Sequence, residues 1–251
     1  MLSKNKIKQI NSLKIKKYRK QENAFICEGE KIFDSLVKSD FNTKEVFATA
    51  DFIKNNTSKY QNIQFNEVDE NKLSKISSQT SPQNIIAIVE IPTNNIIISD
   101  FKTKLTLVLD KLQDPGNLGT IIRIADWFGI KNIICSLDSV DVYNTKVVQA
   151  TMGSIFNVNI FYQNLEDFLQ HITKNKLPIY GTFLNGENIY TSNLEKNGII
   201  VMGNEANGIN TKIEKFITKK ITIPEFNKNK TAESLNVAVS TAIICSEFVR
   251  R

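Results

Sequence analysis

The stretch ITIPEFNKNKTAESLNVAVSTAI, residues 221–243, decides the fold class of the second half of the chain. A short β-branched run ends at Pro224, and proline cannot donate a hydrogen bond to a central strand. A polar loop follows, and Ser234 is a good helix N-cap because its hydroxyl can accept a first-turn amide. Beyond Asn236 the sequence is apolar on most sides, which is typical of a buried helix. The stretch therefore predicts a strand, a polar loop and a buried C-terminal helix that begins at Ser234.

The sequence upstream of this stretch alternates between buried strands and amphipathic helices. Asn117 is the predicted N-cap of the first helix, and Gly129 its predicted end. The alternation, with short connections, predicts an α/β domain with a mostly parallel sheet covered on both faces. The predicted strands and helices cover residues 105–110, 118–128, 132–136, 146–154, 157–161, 165–173, 178–184 and 198–202.

Residues 1–95 are predicted to form a separate small α/β domain, which a linker over residues 96–104 joins to a domain over residues 105–251. Residues 4–20 carry seven lysines, one arginine and no acidic residue, and they predict one basic amphipathic helix. A lysine run is usually a solvated face, and the functional alternative is phosphate attraction without sequence choice. Further strands and helices are predicted over residues 25–27, 29–37, 46–49, 63–68, 71–77 and 85–91.

The composition narrows the class of protein. The net charge is +6 and the pI is near 9.0, which favours an anionic partner. Three widely separated cysteines indicate buried thiols in a reducing compartment. The only histidine, His171, lies off the apolar face of its helix, and this argues against a metal site or a histidine base. We expect no membrane span and no signal peptide, and therefore a cytoplasmic protein.

Two further motifs follow predicted strands. DPGNLGTIIR, residues 114–123, places Asn117 at a turn and Arg123 in an otherwise apolar helix. A salt bridge from Arg123 to Asp126 is the structural alternative for that arginine. GNEANGI, residues 203–209, is a glycine-containing turn after a strand, and it is not the GxGxxG fingerprint of dinucleotide-binding oxidoreductases.

These three motifs, in this order, resemble the signature motifs of the SpoU/TrmH-type 2′-O-ribose RNA methyltransferases of the SPOUT superfamily. EGEK at residues 28–31 and SPQNIIAIV at residues 81–89 are similar to the ribosomal-protein-like RNA-binding domain that precedes many of them. The sequence departs from the family at Ala206, where glycine is usual, and this alanine requires a negative φ. The loop before Ser234 is longer than usual and lacks the family's glycine.

The resemblance implies a SPOUT domain with a trefoil knot, a homodimer with the site at its interface, and S-adenosylmethionine as cofactor. It assigns catalytic roles to Asn117, Arg123, Glu205, Ser234 and Asn236. The residues that it assigns to the cofactor are Thr182, Gly203, Ile223 and Leu235. No metal is implied.

The implied reaction is methyl transfer to a ribose 2′-hydroxyl of RNA. A guanidinium stays protonated in proteins, so we expect Arg123 to hold a phosphate and stabilise the developing alkoxide. Ribosomal RNA is the preferred substrate and transfer RNA the alternative. Two other classes stay open: an inactive RNA-binding protein of the same fold, which the altered loop would produce, and a nucleotide-dependent α/β oxidoreductase.

Overall fold

The computed structural model describes residues 2–93, 96, 101–227 and 233–250. The chain divides into two compact units. Residues 1–93 and 141–156 form the first, which we call the N-terminal unit, and residues 94–140 and 157–251 form the second, the C-terminal unit. Residues 141–156, which the sequence places in the second domain, therefore fold with the N-terminal unit. The functional division at residues 95 and 105 stays a prediction.

Strands and helices alternate along both units. The strands are β1 (Ala24–Glu28), β2 (Thr43–Ala48), β3 (Phe65–Glu67), β4 (Ile85–Glu90), β5 (Leu105–Leu109), β6 (Asn132–Ser136), β7 (Asn159–Gln163), β8 (Ile179–Asn188), β9 (Gly198–Met202) and β10 (Lys219–Thr222). The helices are α1 (Lys4–Ser12), α2 (Lys16–Glu22), α3 (Glu30–Val37), α4 (Ala50–Asn56), α5 (Glu70–Ile76), α6 (Pro115–Trp127), α7 (Thr145–Thr151), α8 (Leu165–Thr173), α9 (Thr211–Glu214) and α10 (Val237–Arg250). None of the described helices is long and apolar enough to cross a bilayer.

Two predicted helix starts were wrong, and one predicted helix proved to be two. The basic run forms two helices, α1 and α2, because Ile15 adopts an extended conformation that interrupts the helix between them. The N-cap of α6 is Asp114, which accepts from the Asn117 N–H at 2.7 Å and so leaves the Asn117 side chain available elsewhere. Helix α10 begins at Val237, three residues beyond Ser234.

The N-terminal unit is built on a four-stranded sheet in the order β1-β4-β2-β3. Strand β4 pairs antiparallel with β1 and β2, and β2 pairs parallel with β3. The buried Glu28 carboxylate accepts from the backbone N–H groups of Ser78 at 3.0 Å and Gln83 at 3.3 Å. Glu28 therefore fixes the loop before β4 to the end of β1, so the two stretches that resemble the RNA-binding domain meet there.

The C-terminal unit contains a six-stranded sheet in the order β10-β8-β9-β5-β6-β7, and every described pairing in it is parallel. The predicted parallel α/β fold is thus confirmed. The neighbouring strands β5 and β9 connect in opposite directions: β5 leads through α6 to β6, whereas β9 leads through α9 to β10. Such a topological switch point opens a crevice at the carboxyl ends of the two strands, where ligands bind in open α/β sheets.

Helix α10 packs on α6, and its Phe248 contacts β8 of the sheet. Its Phe248 ring meets the buried Tyr180 ring edge-on, with the ring centroids 4.8 Å apart. This packing holds the first turn of α10 beside the first turn of α6, and so brings the third motif to the first.

Arg19 is not part of the exposed basic face that the sequence predicts over residues 4–20. Its side chain is only 3% exposed and forms an ion pair with Asp141, with Nη2 at 2.6 Å from Oδ2. Nη1 donates to the Leu13 carbonyl at 2.8 Å. Arg19 is therefore a structural residue that ties residues 141–156 to α2, and it does not face phosphate.

We predict that Arg19→Ala lowers the free energy of unfolding by about 3 kcal/mol, because it leaves the largely buried Asp141 carboxylate and the Leu13 carbonyl without their donor. Chemical denaturation measures this change. The matched control is Lys17→Ala in the same helix, whose exposed side chain predicts a change within about 0.5 kcal/mol. An Arg19→Ala protein as stable as the control would contradict the structural role.

Candidate active site

Polar side chains from all three motifs meet at the carboxyl ends of β5 and β9. Asn117 lies in the first turn of α6, Glu205 follows β9, and Asn236 immediately precedes α10. Asn117 Nδ2 donates to Glu205 Oε1 at 3.1 Å, and Asn236 Nδ2 donates to Asn117 Oδ1 at 3.0 Å. We call this chain of hydrogen bonds the amide relay. It joins segments that are 88 and 119 residues apart in the sequence.

The groups at the two ends of the amide relay fix the orientation of both side-chain amides. Asn236 Oδ1 accepts from the backbone N–H of Ala238 at 2.9 Å and of Val239 at 3.3 Å. Since a helix N-terminus offers only donors, the Asn236 oxygen faces it and the Asn236 nitrogen faces Asn117. At the other end an ionised Glu205 can only accept. Each amide therefore has one productive orientation.

Asn236 consequently has two roles. It is the N-cap of α10, the role predicted for Ser234, and it is also a member of the amide relay. Ser234 and Leu235 lie just before it in exposed, non-helical chain.

The turn after β9 is held by Asn204 and by a close backbone approach. Asn204 Oδ1 accepts from the backbone N–H of Ala206 at 3.0 Å and of Asn207 at 3.1 Å. Ala206 is not among the described residues with positive φ, so the alanine fits where the family has glycine. A Cβ added to Gly203 would lie 2.3 Å from the Gly208 carbonyl carbon, so position 203 requires glycine.

The end of β5 holds this turn through two contacts that sequence reasoning missed. Asp110, 3% exposed, accepts from the Asn210 N–H at 2.7 Å, and burial raises the pKa of its carboxyl. Lys111 adopts a left-handed φ of 54°, and its carbonyl accepts from Asn204 Nδ2 at 2.8 Å. No sequence signal marks a lysine for this conformation, whereas a polar residue directly after a buried strand could have drawn attention to Asp110.

Arg123 is exposed on α6 and makes no hydrogen bond or ion pair with any residue in the described part of the chain. The alternative bridge to Asp126 is absent there. Asp126 Oδ2 instead accepts from Asn157 Nδ2 at 3.0 Å. Arg123 is thus a cation available to a ligand, and Trp127, one turn further along, is 85% exposed.

Three of the four residues that the resemblance gives to the cofactor lie in or directly after adjacent strands. Thr182 lies in β8 and donates from Oγ1 to the Val201 carbonyl at 3.1 Å, while Gly203 follows β9 and Ile223 follows β10. Strands β10, β8 and β9 are parallel neighbours, so Gly203 and Ile223 come at the same edge of the sheet. Leu235 is 51% exposed. Residues 228–232 of the long loop fall outside the described residues.

Comparison with known proteins adds the family. Residues 104–246 match the SpoU rRNA Methylase family, and residues 4–87 match the MRM3-like substrate binding domain. The chain belongs to the SpoU rRNA methylase family. The resemblance drawn from the three motifs is thereby confirmed.

Relatives of this SpoU chain cover nearly all of it. The 23S rRNA (guanosine(2553)-2′-O)-methyltransferase RlmP of Bacillus subtilis is 29% identical over 95% of this chain and 94% of its own length. A TrmH-family protein from Porphyromonas gingivalis superposes with a TM-score of 0.88 and 37% identity, covering 100% of this chain and 99% of its own. An AdoMet-bound rRNA methyltransferase from Sinorhizobium meliloti superposes with a TM-score of 0.84 and 28% identity, covering 100% of this chain and 96% of its own.

The two roles of Asn236 can be separated by a pair of variants. Asn236→Asp keeps a cap oxygen for α10 but sets a second carboxylate against Asn117, whose single NH₂ group cannot serve acceptors on both sides. We expect turnover to fall a hundredfold or more, about 2.7 kcal/mol in the barrier, with little change in melting temperature. Asn236→Ala should show the same loss of turnover and also lose about 1 kcal/mol of stability.

Activity and thermal melting of both variants check this expectation. If Asn236→Asp retains full turnover, Asn236 is only a cap and the amide relay has no catalytic role.

Proposed function

We propose that this chain is an S-adenosylmethionine-dependent RNA 2′-O-ribose methyltransferase that acts on ribosomal RNA. The observation that carries the proposal is the amide relay, which assembles one residue from each motif at the switch point of the sheet, on the same unit as the exposed Arg123. The family description and the rRNA methyltransferases among the relatives support the class of reaction.

The residues at the edge of β8, β9 and β10 fit S-adenosylmethionine. Gly203 has no side chain to block backbone approach, and Ile223 and Leu235 offer partly exposed apolar surface to an adenine ring. Thr182 is occupied by its bond to the Val201 carbonyl, so it would act through the strand backbone. When bound, the cofactor supplies an electrophilic methyl group.

In the proposed mechanism the protein prepares the ribose hydroxyl for attack. A hydroxyl is a weak nucleophile, so its proton must leave as the new bond forms. Arg123 binds the neighbouring phosphate and stabilises the developing alkoxide, as preorganised charge does at other oxyanions. The proton leaves through that phosphate or through water. The amide relay fixes Glu205 and Asn236 around the ribose, and Ser234 adds a hydroxyl beside Asn236.

A homodimer would complete this site. Trp127 on α6 and two residues on the outer side of α10, Val239 and Val249, are 85%, 50% and 49% exposed. Exposed apolar residues on two helices that pack together are typical of a protein–protein interface. A second copy of the chain would cover them and bring its own surface to the neighbourhood of Arg123. The trefoil knot and the cytoplasmic location also belong to this proposal.

We predict that Arg123→Ala abolishes methyl transfer while the affinity for S-adenosylmethionine stays within a few-fold, because Arg123 touches the RNA and not the cofactor. Mapping of 2′-O-methylation in cellular RNA, with and without the gene and after complementation with Arg123→Ala, measures the activity. Calorimetry measures cofactor binding.

The matched control is Asp126→Ala in the same helix, which should restore methylation because Asp126 contacts Asn157 and not Arg123. If loss of the gene removes a methyl group from transfer RNA alone, the substrate is transfer RNA and not ribosomal RNA. No heat with millimolar cofactor would favour an inactive RNA-binding protein. If Arg123→Ala loses cofactor binding or unfolds, the arginine is structural and this mechanism fails.

A further inference from the structure

Helix α2 of the N-terminal unit buries an arginine and leaves part of a tyrosine ring exposed. Arginine is normally among the most exposed residue types, and tyrosine is intermediate. In α2 the only buried residue is Arg19, while Tyr18 is 39% exposed. Ile15, which caps the helix, is 55% exposed. Part of the Tyr18 ring and the Ile15 side chain are therefore exposed to solvent, while the Arg19 guanidinium is buried.

The contacts of Arg19 set this orientation. Its guanidinium makes three hydrogen bonds, two to Asp141 and one to the Leu13 carbonyl, which hold one side of α2 inward. Successive helical residues are about 100° apart. Tyr18 and Lys20 are accordingly carried to the flanks of the helix, and Lys17 lies on its outer side. All three are exposed.

One lysine lies beside the Tyr18 ring. Lys17 Nζ is 5.9 Å from the centre of the ring, and Lys16 and Lys20 are exposed on the opposite flank of the same helix. The Asp141 carboxylate is neutralised by Arg19 and does not oppose these charges. The Tyr18 hydroxyl makes no hydrogen bond to the part of the chain that the structure describes. Tyr18 is thus a partly exposed aromatic ring beside a lysine, and its hydroxyl has no partner among the described residues.

We propose that Tyr18 is a stacking platform for a nucleobase of single-stranded RNA, with Lys17 contacting an adjacent phosphate. The inference rests on the proposed function, because it names the part of the N-terminal unit that grips the RNA. An exposed ring beside cations is the arrangement that binds single strands without sequence choice, since every base has a π-face. A duplex hides those faces and offers only its phosphates.

The test compares binding of a short single-stranded RNA of mixed sequence with binding of the same sequence as a duplex, using the full-length protein. Tyr18→Ala should weaken single-strand binding about 10-fold. Tyr18→Phe and Tyr18→Trp should retain it, because the ring and not the hydroxyl makes the contact. Val37→Ala is the matched control, because Val37 is 41% exposed in the same unit but belongs to α3 and not to residues 4–20, and it should bind like the wild type.

Salt dependence separates the ring from the charges. Tyr18→Ala should leave the slope of log affinity against log salt unchanged, whereas Lys17→Ala should lower its magnitude by about 0.7. Affinity of Tyr18→Ala within about twofold of wild type, an equal loss on duplex RNA, or failure of Tyr18→Phe to retain binding would each overturn the inference.

Three further outcomes separate failure of this inference from failure of the proposed function. If Tyr18→Ala binds naked RNA normally but no longer binds ribosomal particles, a protein occupies this surface and the inference is overturned. If the wild type neither binds nor methylates RNA, the proposed function itself fails, and with it this inference. A wild type that methylates RNA, with a Tyr18→Ala variant that binds equally well, rejects the stacking platform alone.

Discussion

The amide relay depends on one constraint: a carboxamide has a donor nitrogen and an acceptor oxygen, and exchanging their positions would break its hydrogen bonds. The α10 N-terminus offers only donors and the Glu205 carboxylate only acceptors, so Asn236 and Asn117 between them must point in one direction. If the Asn117 amide were flipped, its oxygen would face the Glu205 carboxylate and both of its hydrogen bonds would be lost. This polarity fixes the relative positions of three segments from distant parts of the chain, although all three lie near solvent.

The rest of the C-terminal unit supports the relay. Burial of α10 against α6 brings Asn236 to Asn117, and the end of β5 holds the turn that carries Glu205 through Asp110 and Lys111. The switch point between β5 and β9 provides the open space above them. The sheet therefore does more than form a core, because its strand order determines where the three motifs can meet.

Much of this could be predicted from sequence, and the limits have physical causes. Buried strands such as β5, β6 and β9 follow from apolar runs, and the parallel sheet follows from their alternation with helices. Helix starts were less predictable because several cap residues stand close together, as Asp114 does to Asn117 and Ser234 to Asn236. The burial of Arg19 could not be foreseen, because its partner Asp141 is 122 residues away. The left-handed Lys111 carries no local signal at all.

The most direct test of the central claim is a double-mutant cycle on turnover between Asn236 and Glu205. These residues are linked only through Asn117 in the described hydrogen bonds, so breaking either end should disrupt the same unit. Asn236→Asp and Glu205→Ala should then be non-additive by about 1 kcal/mol or more, and this coupling should vanish in an Asn117→Ala background. Effects that add to within about 0.3 kcal/mol would show that the two residues act independently, and would contradict the account.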